Sequence, residues 1–324
     1  MGTYLVTGAA GFIASKVCED LLANEQRVVG VDNLNDAYDV RMKQWRLSRL
    51  TSNKAFSFYH RDIGDRLALD EIASNHGAFD AVINLAARAG VRFSVENPWA
   101  FFDANLTGTL NLLELCRHRG IPKFVLASSS SVYGANAPLP TPEEADTDHP
   151  IQPYAASKKS AEALSYAYHY LYGTDVTVFR FFNVYGPGNR PDMAMFHFIR
   201  WINENMPIKL NGDGTQSRGF TYLDDIARGT IAGLRPLGYE IINLGGHETV
   251  SMNELIARLE AIIGKKAQID HMPANKADMQ ANWANVDKAR RLLGWEPQVN
   301  LEEGLRLTVE WYLKERSWAS QIES

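Results

Sequence analysis

Tyr154 and Lys158 stand four residues apart in the run Pro153-Tyr154-Ala155-Ala156-Ser157-Lys158. On a helix that spacing stacks both side chains on one face, about a turn apart. An ammonium held beside a phenol favours the phenolate and lowers the tyrosine pKa from about 10. A tyrosine tuned in this way takes a proton from a sugar or alcohol hydroxyl and returns it later. The pair alone is ordinary content for a solvated helix face, so the reading turns on the elements that would position it.

Thr3 to Val6 reads as a short buried strand, followed by Thr7-Gly8-Ala9-Ala10-Gly11-Phe12-Ile13-Ala14 and a helical pattern through Leu22. Gly8 permits a tight turn, and Gly11 lets backbone approach a pyrophosphate at the helix N-terminus, where free N–H groups favour anions. Ala14 is small enough for close helix–strand packing. A second apolar strand, Arg27 to Val31, ends in Asp32 and Asn33. This places a carboxylate about 20 residues after the glycines, where an adenosine ribose offers its hydroxyls. Asp32 repels a 2′-phosphate, so the expected cofactor is NAD rather than NADP.

Hydrophobic content of 45% and charged content of 22% are ordinary for a globular chain of 324 residues. A net charge of −5 gives no reason to expect nucleic acid. No window approaches the roughly 18 apolar residues of a membrane span. Two cysteines and eight histidines show no metal-ligand spacing, so neither a metal nor a disulfide framework is expected. The first strand begins almost at once, so no secretory leader is expected. The expected location is the cytoplasm.

Strands and helices alternate. Ala55 to His60, Asp80 to Leu85, Lys123 to Ala127 and Val176 to Phe181 read as further strands. One long helix is expected from Pro98 to Arg119, and another carries Tyr154 to about Tyr172. This rhythm implies an α/β fold, a doubly wound parallel sheet whose ligands bind beyond the carboxyl ends of the strands. After Asn183 the pattern becomes turn-rich. The expected division is a dinucleotide-binding domain over 1–183 and a smaller α/β substrate lobe over 184–324, with Tyr239 to Leu244 a candidate to rejoin the main sheet.

Ser128-Ser129-Ser130-Ser131 follows the fifth strand. With these residues in place the chain resembles the NAD-dependent nucleotide-sugar epimerase/dehydratase family of extended short-chain dehydrogenase/reductases. Thr7 to Ile13, Asp62-Ile63, Asn84 to Ala87, Asn105, Ser128 to Gly134, Tyr154 to Lys158, Arg180 to Gly188 and Arg218 to Asp225 carry the resemblance. It implies a Rossmann-type fold, a bound NAD and a role for each matching residue. Gly8, Gly11, Phe12 and Ile13 would hold the pyrophosphate, Asp32 and Asn33 the ribose, and Asp62 and Ile63 the adenine. Leu85, Ala86 and Ala87 would line the cofactor, with Asn105 near it. Ser129 would bond the reacting hydroxyl, Tyr154 would be the acid/base, and Lys158 would bind the nicotinamide ribose and depress the tyrosine pKa. Arg218 would grip the substrate diphosphate.

Sugar 4,6-dehydratases that this chain resembles carry Asp-Glu at the positions of Ser130-Ser131, and UDP-glucuronate decarboxylases carry Glu at Ser131. Hydroxyls here leave epimerisation. Ala89 to Pro98 and Arg190 to Ala194 resemble UDP-glucuronate 4-epimerases. In these the serine turn, Ser129 to Ser131, also offers donors to the C5 carboxylate. Arg92 would steer the anion, and Arg190 would belong to the nucleotide pocket. Three positions depart from the pattern: Asn183 replaces Thr, Gly219 replaces Asp, and Ala277-Asp278 replaces Gly-Asp, with Asp278 a candidate for the uridine ribose. The expected activity is interconversion of UDP-glucuronate and UDP-galacturonate. The alternatives are epimerisation of UDP-glucose or a UDP-N-acetylhexosamine, a net 4-ketosugar reductase or dehydrogenase, and a non-catalytic NAD-binding module. In relatives, helices equivalent to Pro98–Arg119 and Tyr154–Tyr172 form a four-helix homodimer interface.

Overall fold

Residues one apart on a strand point to opposite faces, and a strand covered on both sides is apolar throughout. Leu5, Val82, Phe124 and Leu126 pack to one side of the sheet, while Val6, Ile83, Val125 and Ala127 pack to the other. The computed structural model describes residues 1–246, 248–273 and 279–322. β1 (Thr3–Thr7) leads through α1 (Phe12–Ala23) to β2 (Arg27–Asp32), then through α2 (Val40–Ser48) to β3 (Phe56–His60) and through α3 (Arg66–His76) to β4 (Ala81–Asn84). There follow α4 (Val91–Glu96), α5 (Pro98–Phe102), a π turn (Asp103–Thr107) and α6 (Gly108–Arg119). β5 (Lys123–Ser129) ends in a 3-10 turn (Ser130–Tyr133), and α7 (Pro153–Tyr172) leads to β6 (Asp175–Phe181).

The remainder holds β7 (Asn183–Tyr185), α8 (Ala194–Asn203), β8 (Ile208–Asn211), β9 (Ser217–Tyr222), α9 (Leu223–Ala232), β10 (Tyr239–Leu244), β11 (Glu248–Ser251), α10 (Met252–Ile263), β12 (Ile269–Met272), β13 (Ala281–Asn282), α11 (Asp287–Leu293) and α12 (Leu301–Ala319). The main sheet has seven strands in the order β10-β6-β5-β4-β1-β2-β3, all parallel. Tyr239–Leu244 does rejoin it, beside β6. α3, α6 and α7 cover one face, and α1, α9 and α11 the other. α8, α10 and α12 build a second core beside the small sheet of β7, β9, β11 and β13.

The single long helix expected over Pro98–Arg119 is instead two helices joined by the π turn, whose altered hydrogen-bond register the apolar spacing does not encode. α2 and α4 had no counterpart in the sequence reading. α2 ties the main sheet to the second core, because Trp45 packs against Trp311 and Trp318 of α12, with ring centroids 5.4 and 6.3 Å away.

Candidate active site

The sheet order changes direction between β1 and β4, and a crevice opens there beyond the carboxyl ends of the strands. A cavity of about 440 Å³ fills it, within the range of small-molecule sites. Its walls follow the sheet. Asp62 and Ile63 come from the end of β3, Asp32 and Asn33 from β2, Gly8 to Ile13 from the β1–α1 turn, Leu85 to Ala87 from β4, and Ser128 to Ser131 from β5. Tyr154 and Lys158 from α7 complete the far end, with Asn183, Arg190 and Arg218 over it.

Gly8 has φ +68°, and a Cβ there would stand 2.8 Å from the backbone of Ala86. Only glycine allows the β1 turn to pass so close to β4. Thr7 ties the same two strand ends: its hydroxyl donates to Asn84 Oδ1 at 2.8 Å and accepts the Ala86 N–H at 3.2 Å. α1 starts at Gly11 without a side-chain cap, which leaves its first N–H groups for an anion. The Asp32 carboxylate is oriented by the N–H groups of Ala10 (3.1 Å) and Leu34 (2.8 Å). Asn33 donates to Asp62 Oδ2 at 2.6 Å, joining the ends of β2 and β3. An uncapped helix start, an oriented carboxylate and apolar strand ends are donors and surfaces that suit a dinucleotide.

At the other end Tyr154 is half-buried in the first turn of α7, its ring edge-on to Phe101 with centroids 6.1 Å apart. Loss of water raises the phenol pKa, while a hydrogen bond with Ser129 and the Arg190 charge pull it back. This corrects the expected electrostatics. Lys158 shares the helix face, but its ammonium donates to the Ala127 carbonyl at 2.8 Å. Arg190 is the cation that acts on the phenol. Its guanidinium forks onto Asp192, with Nε at 3.0 Å, and Nη2 also donates to the Ala89 carbonyl at 3.2 Å. Arg190 therefore stands at the reacting end of the cavity rather than solely in a nucleotide pocket. Burial lowers Lys158 to about 8.

The four serines divide. Ser128 donates to buried Glu162, Ser129 caps the 3-10 turn and donates to Ser131 Oγ at 3.2 Å, and Ser130 accepts from Asn282 Nδ2 at 3.0 Å. Ser129 is thus the serine that meets Tyr154, Ser131 is tied to it, and the Ser128 hydroxyl is turned toward Glu162. Asn105 is also corrected. It sits in the π turn, 1% exposed and outside the cavity lining, and its amide bonds the N–H and carbonyl of Arg88 (2.9 and 3.0 Å) and Ser157 Oγ (2.9 Å). It positions α7 rather than lining the cofactor cavity. Arg92 lies exposed on α4 and is not among the residues that line the cavity, although its neighbours Gly90 and Val91 are. Asp278 lies outside the described residues. Asn183 Nδ2 donates to the Gly219 carbonyl at 3.4 Å, so two departures from the family pattern touch each other. A Cβ at Gly219 would meet the Gly246 carbonyl at 2.6 Å, so the local packing here is built around glycine.

Asn35, Tyr38 and Lys43 line the cofactor end and were not foreseen. Lys43 is 5% exposed and donates to both Asn35 oxygens, at 2.8 and 2.9 Å. Burial lowers its pKa, Asp32 opposes this, and Arg46, Arg88 and Arg190 add to it. Their position just past the β2 end was the available signal. Among the described residues no group of three His, Cys, Asp or Glu side chains is placed to hold a metal ion.

The family model described as the NAD dependent epimerase/dehydratase family matches residues 4–245. A UDP-glucuronate 4-epimerase of Thermodesulfobacterium geofontis is 57% identical over 312 residues, 96% of each chain. The UDP-glucuronic acid 4-epimerase of Bacillus cereus, solved with UDP-glucuronic acid and NAD, superposes with a TM-score of 0.91 at 36% identity, covering 97% of this chain and 99% of that one. A UDP-glucose 4-epimerase of Thermotoga maritima, solved with UDP-glucose, reaches 0.90 at 34% identity, covering 97% and 99%. The matched stretch runs from the first strand to beyond the Tyr154 helix, and these relatives align over nearly their whole length, so this chain belongs to the NAD dependent epimerase/dehydratase family.

Proposed function

We propose that this chain interconverts UDP-glucuronate and UDP-galacturonate by transient oxidation at C4 to a 4-keto sugar. The observation that carries the reading is the meeting of Tyr154 and Ser129 in the wall of the same cavity that begins at the glycine turn. Gly8, Gly11, Phe12 and Ile13 hold the pyrophosphate of NAD, Asp32 and Asn33 its ribose, Asp62 and Ile63 the adenine, and Leu85 to Ala87 the inner wall. Lys43 joins them at the cofactor end. Bound there, NAD supplies the acceptor and donor of hydride. Ser129 orients the C4 hydroxyl, and the Tyr154 phenolate removes its proton and later gives it back. Lys158 holds the nicotinamide ribose, and Arg218 the substrate diphosphate. Asn183 borders the sugar.

Arg190 and Ser131 favour a uronate. The C5 carboxylate lies next to the reacting carbon, so a guanidinium close enough to act on the phenol also acts on that anion. Ser130 and Ser131 supply no carboxyl to expel water, which sets the chain apart from dehydratases. The test is incubation with UDP-glucuronate, UDP-glucose and UDP-N-acetylglucosamine, with products read by NMR. Inversion of the glucuronate alone is expected; inversion of UDP-glucose alone would overturn the uronate assignment.

The active form is a homodimer. α4, α5 and α7 leave Phe93, Trp99, Tyr170 and Leu171 exposed, Trp99 at 78% and Tyr170 at 77%. Large apolar groups left exposed on neighbouring helices suit a protein interface. Light scattering is expected to give a dimer mass for the wild type and a monomer mass for Trp99→Glu; a dimeric variant would move the interface elsewhere. The working compartment is the reducing cytoplasm, which agrees with Cys18 and Cys116 being free, buried thiols with pKa values pushed up by burial. Among the described residues no helix is long and apolar enough to cross a membrane.

A further inference from the structure

Tyr154, Lys158 and Glu162 follow one another at four-residue intervals on α7 and so share a helix face. The first two line the cavity. Glu162 lies behind them, 2% exposed. Its carboxylate accepts from Arg180 Nε at 3.0 Å and Nη2 at 2.8 Å, and from the Ser128 hydroxyl. Ser128 and Arg180 are register partners on β5 and β6. The two-residue alternation that buries Phe124, Leu126, Val176 and Val178 under α7 brings these two polar residues next on the same face.

The chain neighbours of Ser128 carry the site. On one side the Ala127 carbonyl anchors the Lys158 ammonium at 2.8 Å. On the other, the Ser129 hydroxyl meets Tyr154. One carboxylate thus grips the residue between the lysine's anchor and the catalytic serine. Stability does not call for this arrangement. Taking two charges out of water is costly, and apolar residues of similar volume often serve as well or better. The same strands fill the preceding positions of this face with Phe, Leu and Val.

We propose that Glu162 is a positioning residue for the epimerisation: through Ser128 it fixes the end of β5 that presents Ala127 and Ser129, and it is the counter-charge of the Lys158 ammonium. The inference rests on the epimerase reading above. From α7, Tyr154 and Glu162 share the face of Lys158. From β5 the groups are neutral, the Ala127 carbonyl and Ser128 hydroxyl, and from β6 Arg180 is paired with Glu162. Burial lowers Lys158 to about 8, and Glu162 opposes that fall. The lysine is charged below that pH and loses its charge as pH rises through it. Removing the Glu162 charge moves this loss to lower pH.

Glu162→Gln keeps the shape and an acceptor oxygen but removes the charge. In the NAD-loaded enzyme we expect kcat to fall about 10-fold or more and the alkaline limb of kcat to move down by about one pH unit. NAD content should not change, and KM should stay within about 3-fold. Ser128→Ala keeps the charge and removes the tie, so kcat should fall about 10-fold with the alkaline limb unmoved. A limb left at the wild-type pH in Glu162→Gln, with only thermal stability reduced, would overturn the proposal. If Glu162→Gln does not fold, Ser128→Ala decides, and full kcat there overturns the tie. Wild-type turnover in the same assay tests the substrate reading separately, and the variants are compared on whichever UDP-sugar the wild type inverts.

Discussion

Tyr154→Phe is expected to lose about 10³-fold or more in kcat while keeping its bound NAD. The substitution removes one oxygen and leaves the ring against Phe101, so the first turn of α7 has no reason to move. The glycine turn, Asp32 and Asp62 lie at the opposite end of the cavity, so cofactor retention should not depend on the phenol. What disappears is the group that takes the C4 proton, together with the hydrogen bond that orients Ser129. Steady-state turnover of UDP-glucuronate, read beside the NAD content of the purified protein, separates the two effects. Wild-type turnover in the variant would remove Tyr154 as the base, and loss of NAD would show that the cofactor site extends through it.

The sheet and its glycine turn were legible because a strand buried on both faces is a continuous apolar run, and β1, β2, β4, β5 and β6 all carry one. α2 was not, because its buried residues are Met42, Lys43 and Arg46. Two of the three are cations, the reverse of an amphipathic pattern. They face polar groups instead. Arg46 donates to the Gly188 carbonyl at 3.0 and 2.7 Å and to the Ala10 carbonyl at 3.1 Å, joining the glycine turn to the turn that follows β7. The serine run was visible as hydroxyls at a strand end. Its division was not, since the partners Glu162 and Asn282 lie 34 and 152 residues away. Helical spacing placed Lys158 on the face of Tyr154 but could not tell where the ammonium points. That Arg190 lines the cavity while Arg92 does not depends on tertiary placement, which no local pattern records.

Arg190→Leu is expected to lower kcat/KM for UDP-glucuronate by about 10²- to 10³-fold, with two causes that can be measured apart. A charge-assisted hydrogen bond to a carboxylate contributes about 1.5–3 kcal/mol, roughly 10- to 100-fold in affinity. The remainder comes from the phenol. Burial already raises Tyr154, and Arg190 is the charge that opposes it, so without the guanidinium the phenolate becomes scarcer at any given pH. On the rising limb the rate of the variant should therefore lie below that of the wild type at every pH, with the same slope. It should then fall as Lys158 loses its proton. Asp192 would be left without its fork partner beside the site, adding a negative charge that disfavours both phenolate and uronate. Adding Asp192→Asn should accordingly recover about 10-fold of the loss, which a purely structural role for the pair would not allow. Arg190→Lys should recover little, because a single ammonium cannot span both Asp192 oxygens and the Ala89 carbonyl. Equal losses on UDP-glucuronate and on neutral UDP-glucose would leave only the phenol as the guanidinium's target and remove it as the carboxylate's partner.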